Sequence, residues 1–116
     1  MPYKVDKNKF IINDSILEFR EEISTVLRKN GKYLILVLGA NISQTSKHYQ
    51  NRNIFGISPE GEVLWQVGAV TQNPDDLYAS LFEKENAIKA ATRSGVNCWI
   101  DCDTGLVMTK ISLMRD

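Results

Sequence analysis

Turn-forming residues recur at short intervals along this chain and constrain its fold more than any other feature. Asn30-Gly31 in particular suits a two-residue hairpin turn, because both central residues of such a turn take positive φ. Runs of apolar and β-branched residues lie between the turns, which predicts a mainly β fold, a meander of short antiparallel strands. The turn signals are Asn13-Asp14, Asn30-Gly31, Pro59-Glu60-Gly61, Lys84-Glu85-Asn86, Ser94-Gly95 and Asp103-Thr104-Gly105. The predicted strands span about 9–12, 15–20, 22–28, 32–39, 52–58, 62–69, 77–82, 87–93, 96–101 and 106–112.

Two segments also have the features of helices. Ser15 and Glu18 form a capping box, and apolar residues follow them at helical spacing. Asn73 is a suitable cap for a second helix that would continue through several apolar positions. Local rules therefore leave an alternative open, an α+β domain with helices near 15–29 and 74–92.

Length and charge restrict the classes of function. The chain of 116 residues suits one domain, predicted to span 1–116. Its 14 basic and 14 acidic residues cancel, so no overall field attracts it to nucleic acid or to an anionic bilayer. The first residues lack the pattern of a secretory signal, and the longest apolar run is too short to cross a bilayer. We expect a cytoplasmic protein, monomeric or weakly dimeric, that binds neither nucleic acid nor membrane.

Few residues could carry catalysis or hold a metal. His48 is the only histidine. Cys98 and Cys102 would lie about 13 Å apart in a straight strand, too far for a disulfide, and a structural zinc site needs more ligands than two sulfurs. Asp101 and Asp103 flank a turn that lacks the ligand spacing of a calcium loop. We therefore predict two free thiols, a core position for Cys98, no metal or other cofactor, and no enzymatic activity.

The hairpin over 52–67 resembles the hairpins of propeller blades. Its Gly61 is followed four residues later by Trp65, and a weaker copy has Thr109 four residues after Gly105. In propeller blades of this kind, the glycine permits a tight turn and the tryptophan packs between neighbouring sheets. A complete propeller needs about four blades of about 40 residues each, so this chain holds two or three blade-like units at most.

A closer resemblance is to a family of short bacterial proteins of mostly unknown function. These proteins share an N-R-N-I-F-G-I…G-x-x-x-W-Q centre and an S-G…C-W-I-D…T-G tail, which residues 51–66 and 94–105 match. In that family the segment before the tail is extended, which favours strands over 77–93. Some members resemble immunity proteins of contact-dependent growth inhibition and other toxin systems. The resemblance therefore implies that this chain is a toxin inhibitor.

We accordingly predict an immunity-type protein that binds a cognate bacterial toxin domain, such as a contact-dependent inhibition nuclease, and neutralises it by covering the active site. An inhibitor of a cationic nuclease needs an acidic patch, and complementary charge speeds association. The predicted partner-binding residues are Asp75, Asp76, Glu83, Glu85, His48, Tyr49 and Arg52. A second acidic set consists of Glu60, Glu62, Asp101 and Asp103.

Two other functions stay open. A small enzyme could use the polar loop 41–52, with His48 as general base and Arg52 binding an anion. A self-associating structural β protein could pair its open strand edges with a second copy. Trp65 and Trp99 are expected to be core anchors of two hairpins; in the alternative, one of them lies on an exposed sheet face as an interface contact.

Overall fold

A computed structural model of the protein describes residues 3–38 and 48–109. These residues form eleven strands in three antiparallel sheets, so the predicted mainly β meander is confirmed. No helix among them is long and apolar enough to span a membrane. The first sheet contains β1 (Tyr3–Asp6), β2 (Lys9–Ile12) and β3 (Ser15–Glu18). The second contains β4 (Ile23–Lys29), β5 (Lys32–Val37), β6 (Ile54–Ile57) and β7 (Val63–Gln66). The third contains β8 (Tyr78–Lys84), β9 (Ala87–Thr92), β10 (Asn97–Ile100) and β11 (Val107–Thr109).

The alternative with helices near 15–29 and 74–92 is wrong. The first of these segments forms β3 and β4, and the second contains β8 and β9. Exposure alternates from residue to residue along β3, as expected of a strand with one covered face. β4 pairs with β5, and β8 pairs with β9, over nearly their whole lengths. Cross-strand pairing and burial thus outweigh the local preference for helix, which is a weak determinant by comparison.

β1 lies outside the predicted strands. All four of its residues are exposed, so it lacks the alternation of buried and exposed positions that marks a strand in a sequence. It is held by its pairing with β2, from Tyr3 opposite Ile12 to Asp6 opposite Lys9.

The three sheets stack face to face, with the second sheet in the middle. One face of the second sheet packs on the first sheet around Phe10, Tyr33 and Phe55. The other face packs on the third sheet around Leu36, Trp65 and other apolar side chains. Consequently β5 and β6 are buried on both sides and have no exposed residues. The first and third sheets each have one outer face that no part of the described chain covers.

Trp65 joins the second and third sheets. Its indole lies against Gly56 on the neighbouring strand and Gly105 in the third sheet, where an added Cβ would come within 2.2 and 2.5 Å of the ring. The indole Nε1–H donates a hydrogen bond to the carbonyl oxygen of Cys102 at 3.0 Å. Packing of this tryptophan between neighbouring sheets, as implied by the propeller-blade resemblance, is confirmed. Gly61 and Gly105 both have positive φ, which the tight turns require.

Connections gather at the two ends of the stack. One end, which we call the turn end, carries the turns around 13–14, 30–31, 59–61, 85–86 and 102–105. The other, which we call the loop end, carries the segments 7–8, 19–22, 48–53, 67–77 and 93–96. Most of the polar loop predicted over 41–52 falls outside the described residues, since 41–47 are not among them.

Candidate functional site

The seven predicted partner-binding residues divide between the two ends of the molecule. Glu83 and Glu85 lie at the turn end, beside the hairpin that joins β8 to β9. The other five lie at the loop end: His48, Tyr49, Arg52, Asp75 and Asp76. Asp75 and Asp76 therefore do not share a surface with Glu83 and Glu85, and partner binding by either pair stays a prediction. Residues 77–82 separate Asp76 from Glu83, which itself lies in β8, and an extended chain covers that separation in about 23 Å.

Asp76 is buried and holds the loop end together. Its carboxylate accepts hydrogen bonds from the backbone N–H of Ser94 at 2.8 Å, the hydroxyl of Ser94 at 2.7 Å and the hydroxyl of Thr71 at 3.0 Å. Burial by itself raises the pKa of Asp76, but these hydrogen bonds outweigh it and lower the pKa below its usual value. This carboxylate fastens the entry to β8 onto the turn after β9, and it has little surface to offer a partner.

Asn53 makes a similar fully buried junction. Its side chain donates to the carbonyl oxygens of Val37 and Tyr78 and accepts from the N–H of Tyr78, all at 3.0 Å. It thus ties the end of β5 to the start of β8, across the boundary between the second and third sheets. The sequence motif that contains this residue therefore has a structural role.

His48, Tyr49 and Arg52 are also engaged at the loop end. The Nδ1 of His48 hydrogen-bonds to the carboxylate of Glu21. The ring of Tyr49 packs on Phe19 and Phe55, and its hydroxyl accepts from the backbone N–H of Arg20 at 3.0 Å. The Nε of Arg52 donates to the carbonyl oxygen of Val67 at 3.1 Å. These contacts position the three side chains. The enzyme that could use loop 41–52 stays a prediction, since 41–47 lies outside the described residues.

The turn end brings together turns from all three sheets. Ser15 Oγ donates to the carbonyl oxygen of Glu60 at 3.0 Å, which joins the first sheet to the second. Lys32 Nζ lies 2.7 Å from the Asp103 carboxylate, and Lys29 Nζ lies 2.8 Å from that of Glu83, which joins the second sheet to the third. The acidic residues at this end are Asp14, Glu60, Glu62, Glu83, Glu85, Asp101 and Asp103.

Most of these carboxylates have no basic partner. Lys32 pairs with Asp103, and this hydrogen bond is the main reason that the pKa of Lys32 is raised. Lys29 pairs with Glu83. Within 3–38 and 48–109, the remaining five acidic residues of the turn end form no ion pair: Asp14, Glu60, Glu62, Glu85 and Asp101. Lys84 is a third basic residue at this end, beside Lys29 and Lys32. Seven acidic residues thus outnumber three basic ones, and the turn end carries a net negative charge, although the whole chain has none.

An apolar patch adjoins this acidic surface. Val63 and Leu64 lie at the start of β7, immediately after the Glu60–Glu62 turn, and both are exposed. β7 is an edge strand of its sheet, so no neighbouring strand covers them on that side. Apolar side chains surrounded by charged ones are the usual composition of a surface that binds another protein.

The turn at Asp101–Gly105 has the structure expected of an acidic hairpin turn. Asp101 Oδ1 accepts a hydrogen bond from the N–H of Asp103 at 2.8 Å, and Gly105 N–H donates to the carbonyl oxygen of Asp101 at 2.7 Å. The carboxylate is thus used to cap its own backbone. Among the residues that the structure describes, no group of three or more His, Cys, Asp or Glu side chains is arranged to hold a metal.

The two tryptophans and the two cysteines differ in their positions. The expectation that both tryptophans are core anchors is confirmed for Trp65 but is wrong for Trp99, which is half-buried on the outer face of the third sheet. Cys98 is 2% exposed, so its predicted core position is confirmed, and burial raises the pKa of its thiol to about 11. Cys98 and Cys102 are both free thiols, as predicted.

Comparison with known proteins identifies a family. No curated protein and no solved structure matches the chain. The family match, in contrast, extends over the first strand, all three sheets and the turns of the turn end. Residues 1–111 match the family described as Domain of unknown function (DUF7957), and the chain belongs to that family.

Proposed function

We propose that this protein is an immunity-type module that binds a cationic toxin domain through its turn end and neutralises it. The observation that carries the proposal is the convergence of turns from three sheets on one surface, where five carboxylates form no ion pair with the described part of the chain. The sequence resemblance to short bacterial proteins, some of which resemble immunity proteins, favours the same role. The acidic surface contains the whole second acidic set named from the sequence, Glu60, Glu62, Asp101 and Asp103. Of the first set it contains Glu83 and Glu85 but neither Asp75 nor Asp76.

Electrostatics gives the proposed surface its specificity and speed. Enzymes that act on nucleic acid present basic clefts to a polyanionic substrate. A rigid array of carboxylates competes for such a cleft and accelerates encounter through long-range attraction. Carboxylates carried on hairpin turns of a packed stack lose little conformational freedom when they bind, which favours affinity. Val63 and Leu64 would supply the apolar contact that slows dissociation.

Charge reversal at the turn end tests the proposal. The probe is the C-terminal domain of the protein encoded immediately upstream, and the readout is its association rate with this protein at several salt concentrations. Glu60→Lys with Glu62→Lys should slow association by about 10- to 100-fold at low salt and should flatten its salt dependence. The matched control is Asp6→Lys with Glu18→Lys on the outer face of the first sheet, which should leave the rate within about 3-fold.

Co-expression provides the functional readout. Wild-type protein should protect cells from the toxin domain, the turn-end variant should protect them poorly, and the control variant should protect them fully. Asp75→Lys separates this surface from the loop end, where sequence alone located part of the site, and it should also protect fully. Absence of binding by the wild-type protein, or equal loss in the turn-end and control variants, would contradict the proposal.

A further inference from the structure

The outer face of the third sheet carries an unusual row of side chains. Strand register sets Phe82 opposite Lys89, Lys89 opposite Trp99, and Trp99 opposite Met108, so one row crosses all four strands. The residues on either side of this row in each strand point to the other face, where Leu81, Ala90 and Cys98 are buried against the second sheet. The row therefore lies on the surface, and Phe82 and Met108 are 41% and 56% exposed.

This outer face differs from the corresponding face at the other end of the stack. The outer face of the first sheet carries Lys4, Asp6, Lys9 and Glu18 around Ile11 and Ile16, as the register of its strands requires. Charged residues of both signs are what a solvated sheet face normally presents. On the third sheet, two aromatic side chains and a methionine occupy the middle of the face, with a depression of about 170 Å³ between Phe82 and Trp99.

We propose that the outer face of the third sheet binds a second copy of this chain, as a two-fold symmetric pair of stacked sheets. In such a pair, if residue i of the first copy contacts residue j of the second, then residue j of the first copy contacts residue i of the second. A two-fold axis that runs parallel to the strands reverses their order across the interface. Phe82 of one copy then lies opposite Met108 of the other, and Lys89 lies opposite Trp99. The row Phe82–Lys89–Trp99–Met108 therefore meets a copy of itself in reverse order, and each side chain faces one that it can pack against.

The charged groups on the face fit the same arrangement. Lys89 already lies over the ring of Trp99 within one chain, with its Nζ 5.1 Å from the ring centre. Across the two-fold axis it meets the ring of the second copy, so a cation–π contact is possible on each side. In the adjacent row, Lys84 lies in β8 and Asp101 follows β10, so reversal of the strand order brings these opposite charges near each other. Like charges are therefore not forced together.

The other occupants fit the row less well. An acidic peptide would satisfy Lys84 and Lys89 but would leave Met108 without a complementary group. A single-stranded nucleic acid would use the aromatic rings, but Asp101 lies on the same face and would repel its phosphates. Only a second copy supplies a partner for every member of the row. The row Phe82–Lys89–Trp99–Met108 lies apart from the turn end, and Asp101 is the acidic residue that the two proposed surfaces share.

The area of this face indicates the affinity that the proposed dimer should have. Four strands about 4.8 Å apart and three side-chain rows about 6.8 Å apart cover about 400 Å², so the two copies together would bury about 800 Å². Interfaces below about 1,200 Å² belong to weak, reversible complexes. We therefore expect a dissociation constant on the order of 10–100 µM, and a monomer at concentrations of a few micromolar.

Sedimentation equilibrium from about 5 µM to about 500 µM tests the proposal on the full chain, with circular dichroism to verify folding. The wild-type protein should pass from monomer to dimer over this range. Phe82→Lys and Met108→Glu each remove an apolar contact and introduce a buried charge, and each should raise the dissociation constant by at least about 10-fold. Both side chains are on the exposed face of the monomer, at 41% and 56% exposure, so the variants should fold.

The double variant distinguishes this geometry from any other association. With Phe82→Lys and Met108→Glu together, the introduced charges face each other twice across the axis, and dimerisation should return to within about 5-fold of wild type. Ile16→Glu on the first sheet is the control, because Ile16 is 65% exposed and lies on the opposite outer face. It should leave the dimer unchanged. A wild-type monomer at the highest concentration, or no recovery in the double variant, would overturn the proposal.

Discussion

Trp65 and Trp99 lie on opposite sides of the third sheet. Trp65 projects from the second sheet onto the inner face, where two glycines leave room for the indole and a carbonyl oxygen accepts its N–H. Trp99 belongs to the third sheet and projects from its outer face, beside Lys89 and Phe82. The two side chains are chemically identical, but one is a fixed part of the core and the other is part of a surface.

The difference shows how little a residue type reveals about burial in a thin sheet. Consecutive residues of a strand point to opposite faces, so Cys98 and Ile100 are buried while Trp99 between them is not. Whether a face is core depends on whether another sheet covers it. Both faces of the second sheet are covered by other sheets, whereas the first and third sheets each have one covered face. Each of the following predictions tests this contrast between the inner and outer faces.

Removal of the two indoles should have the largest effect and should separate the faces most clearly. Trp65→Ala leaves a cavity between two sheets and an unpaired carbonyl oxygen, so it should lower the free energy of unfolding by about 3–5 kcal/mol. Trp99→Ala should lower it by about 1 kcal/mol, because its indole is only half-buried. Urea unfolding followed by circular dichroism at about 5 µM protein measures both. Equal losses in the two variants would contradict the contrast.

Two glycines with the same backbone conformation isolate the contact with Trp65. Gly31 and Gly105 both have a φ of 76°, but a Cβ would meet nothing within 4 Å at Gly31 and would overlap the Trp65 ring at Gly105. Gly31→Ala should cost about 1 kcal/mol through backbone strain alone. Gly105→Ala should cost about 1–3 kcal/mol more, since the core must shift. Chemical unfolding of the two variants measures the difference, and a difference near zero would show that the indole moves freely.

Asp76 and Asp103 allow the same comparison between a buried and an exposed position to be made for polar side chains. Asp76→Asn removes a buried acceptor from three donors and should cost about 1–3 kcal/mol, whereas Asp103→Asn breaks an exposed ion pair and should cost less than about 1 kcal/mol. Because folding lowers the pKa of Asp76 below its usual 3.8, its contribution to stability is complete above that pH. The contribution is lost as the pH falls through the folded-state pKa.

The pH dependence of unfolding measures that contribution directly. Wild-type protein should lose stability on acidification from pH 6 to about pH 2, and Asp76→Asn should show a smaller loss over the same range. A steeper curve for the Asp76 variant than for the wild type would contradict the assignment.

The reactivity of the two cysteines tests the same contrast in the wild-type protein, without any substitution, and the expected effect is the smallest of the set. Cys98 is on the inner face with its pKa raised to about 11 by burial, so little thiolate forms near neutral pH. Cys102 is half-buried in the turn that receives the Trp65 hydrogen bond. A thiol reagent at pH 8 should modify Cys102 first and Cys98 only after urea unfolding, as mass spectrometry of the digested protein can verify. Rapid modification of Cys98 in the native protein would contradict its burial.

The strands and turns could be predicted from the sequence because their signals are local. Asn30 and Gly31 both have positive φ, as the hairpin turn requires, and ten of the eleven strands overlap the predicted ones. β1 could not be predicted because all four of its residues are exposed, so no alternation marks it, although the Tyr3 ring packs on Phe10 and Tyr33. The helix prediction near 15–29 and 74–92 was wrong because the capping pattern depends on local residues, whereas the strand pairing that overrides it involves residues far apart in the chain.

The candidate sites could be predicted only in part. Glu60, Glu62, Asp101 and Asp103 were identifiable as turn residues, and two of the seven predicted contact residues join them at the turn end. Asp75 and Asp76 lie at the other end because the intervening strand is extended. Alternation would have shown that Phe82, Lys89 and Trp99 share a face once their strands were paired, but the sequence contains no sign of which face is covered.

Turn chemistry and the runs between turns predicted a meander of short strands beside an α+β alternative, and the propeller-blade resemblance implied that its tryptophan packs between sheets. Tertiary structure decided which acidic residues share a surface, which tryptophan is core and which sheet face stays open. The reason is physical: turns and strands depend on neighbours a few residues apart, whereas burial and surface charge depend on residues far apart in the chain. Stacking three sheets in one order defines the turn end, buries Asp76 and exposes the row from Phe82 to Met108.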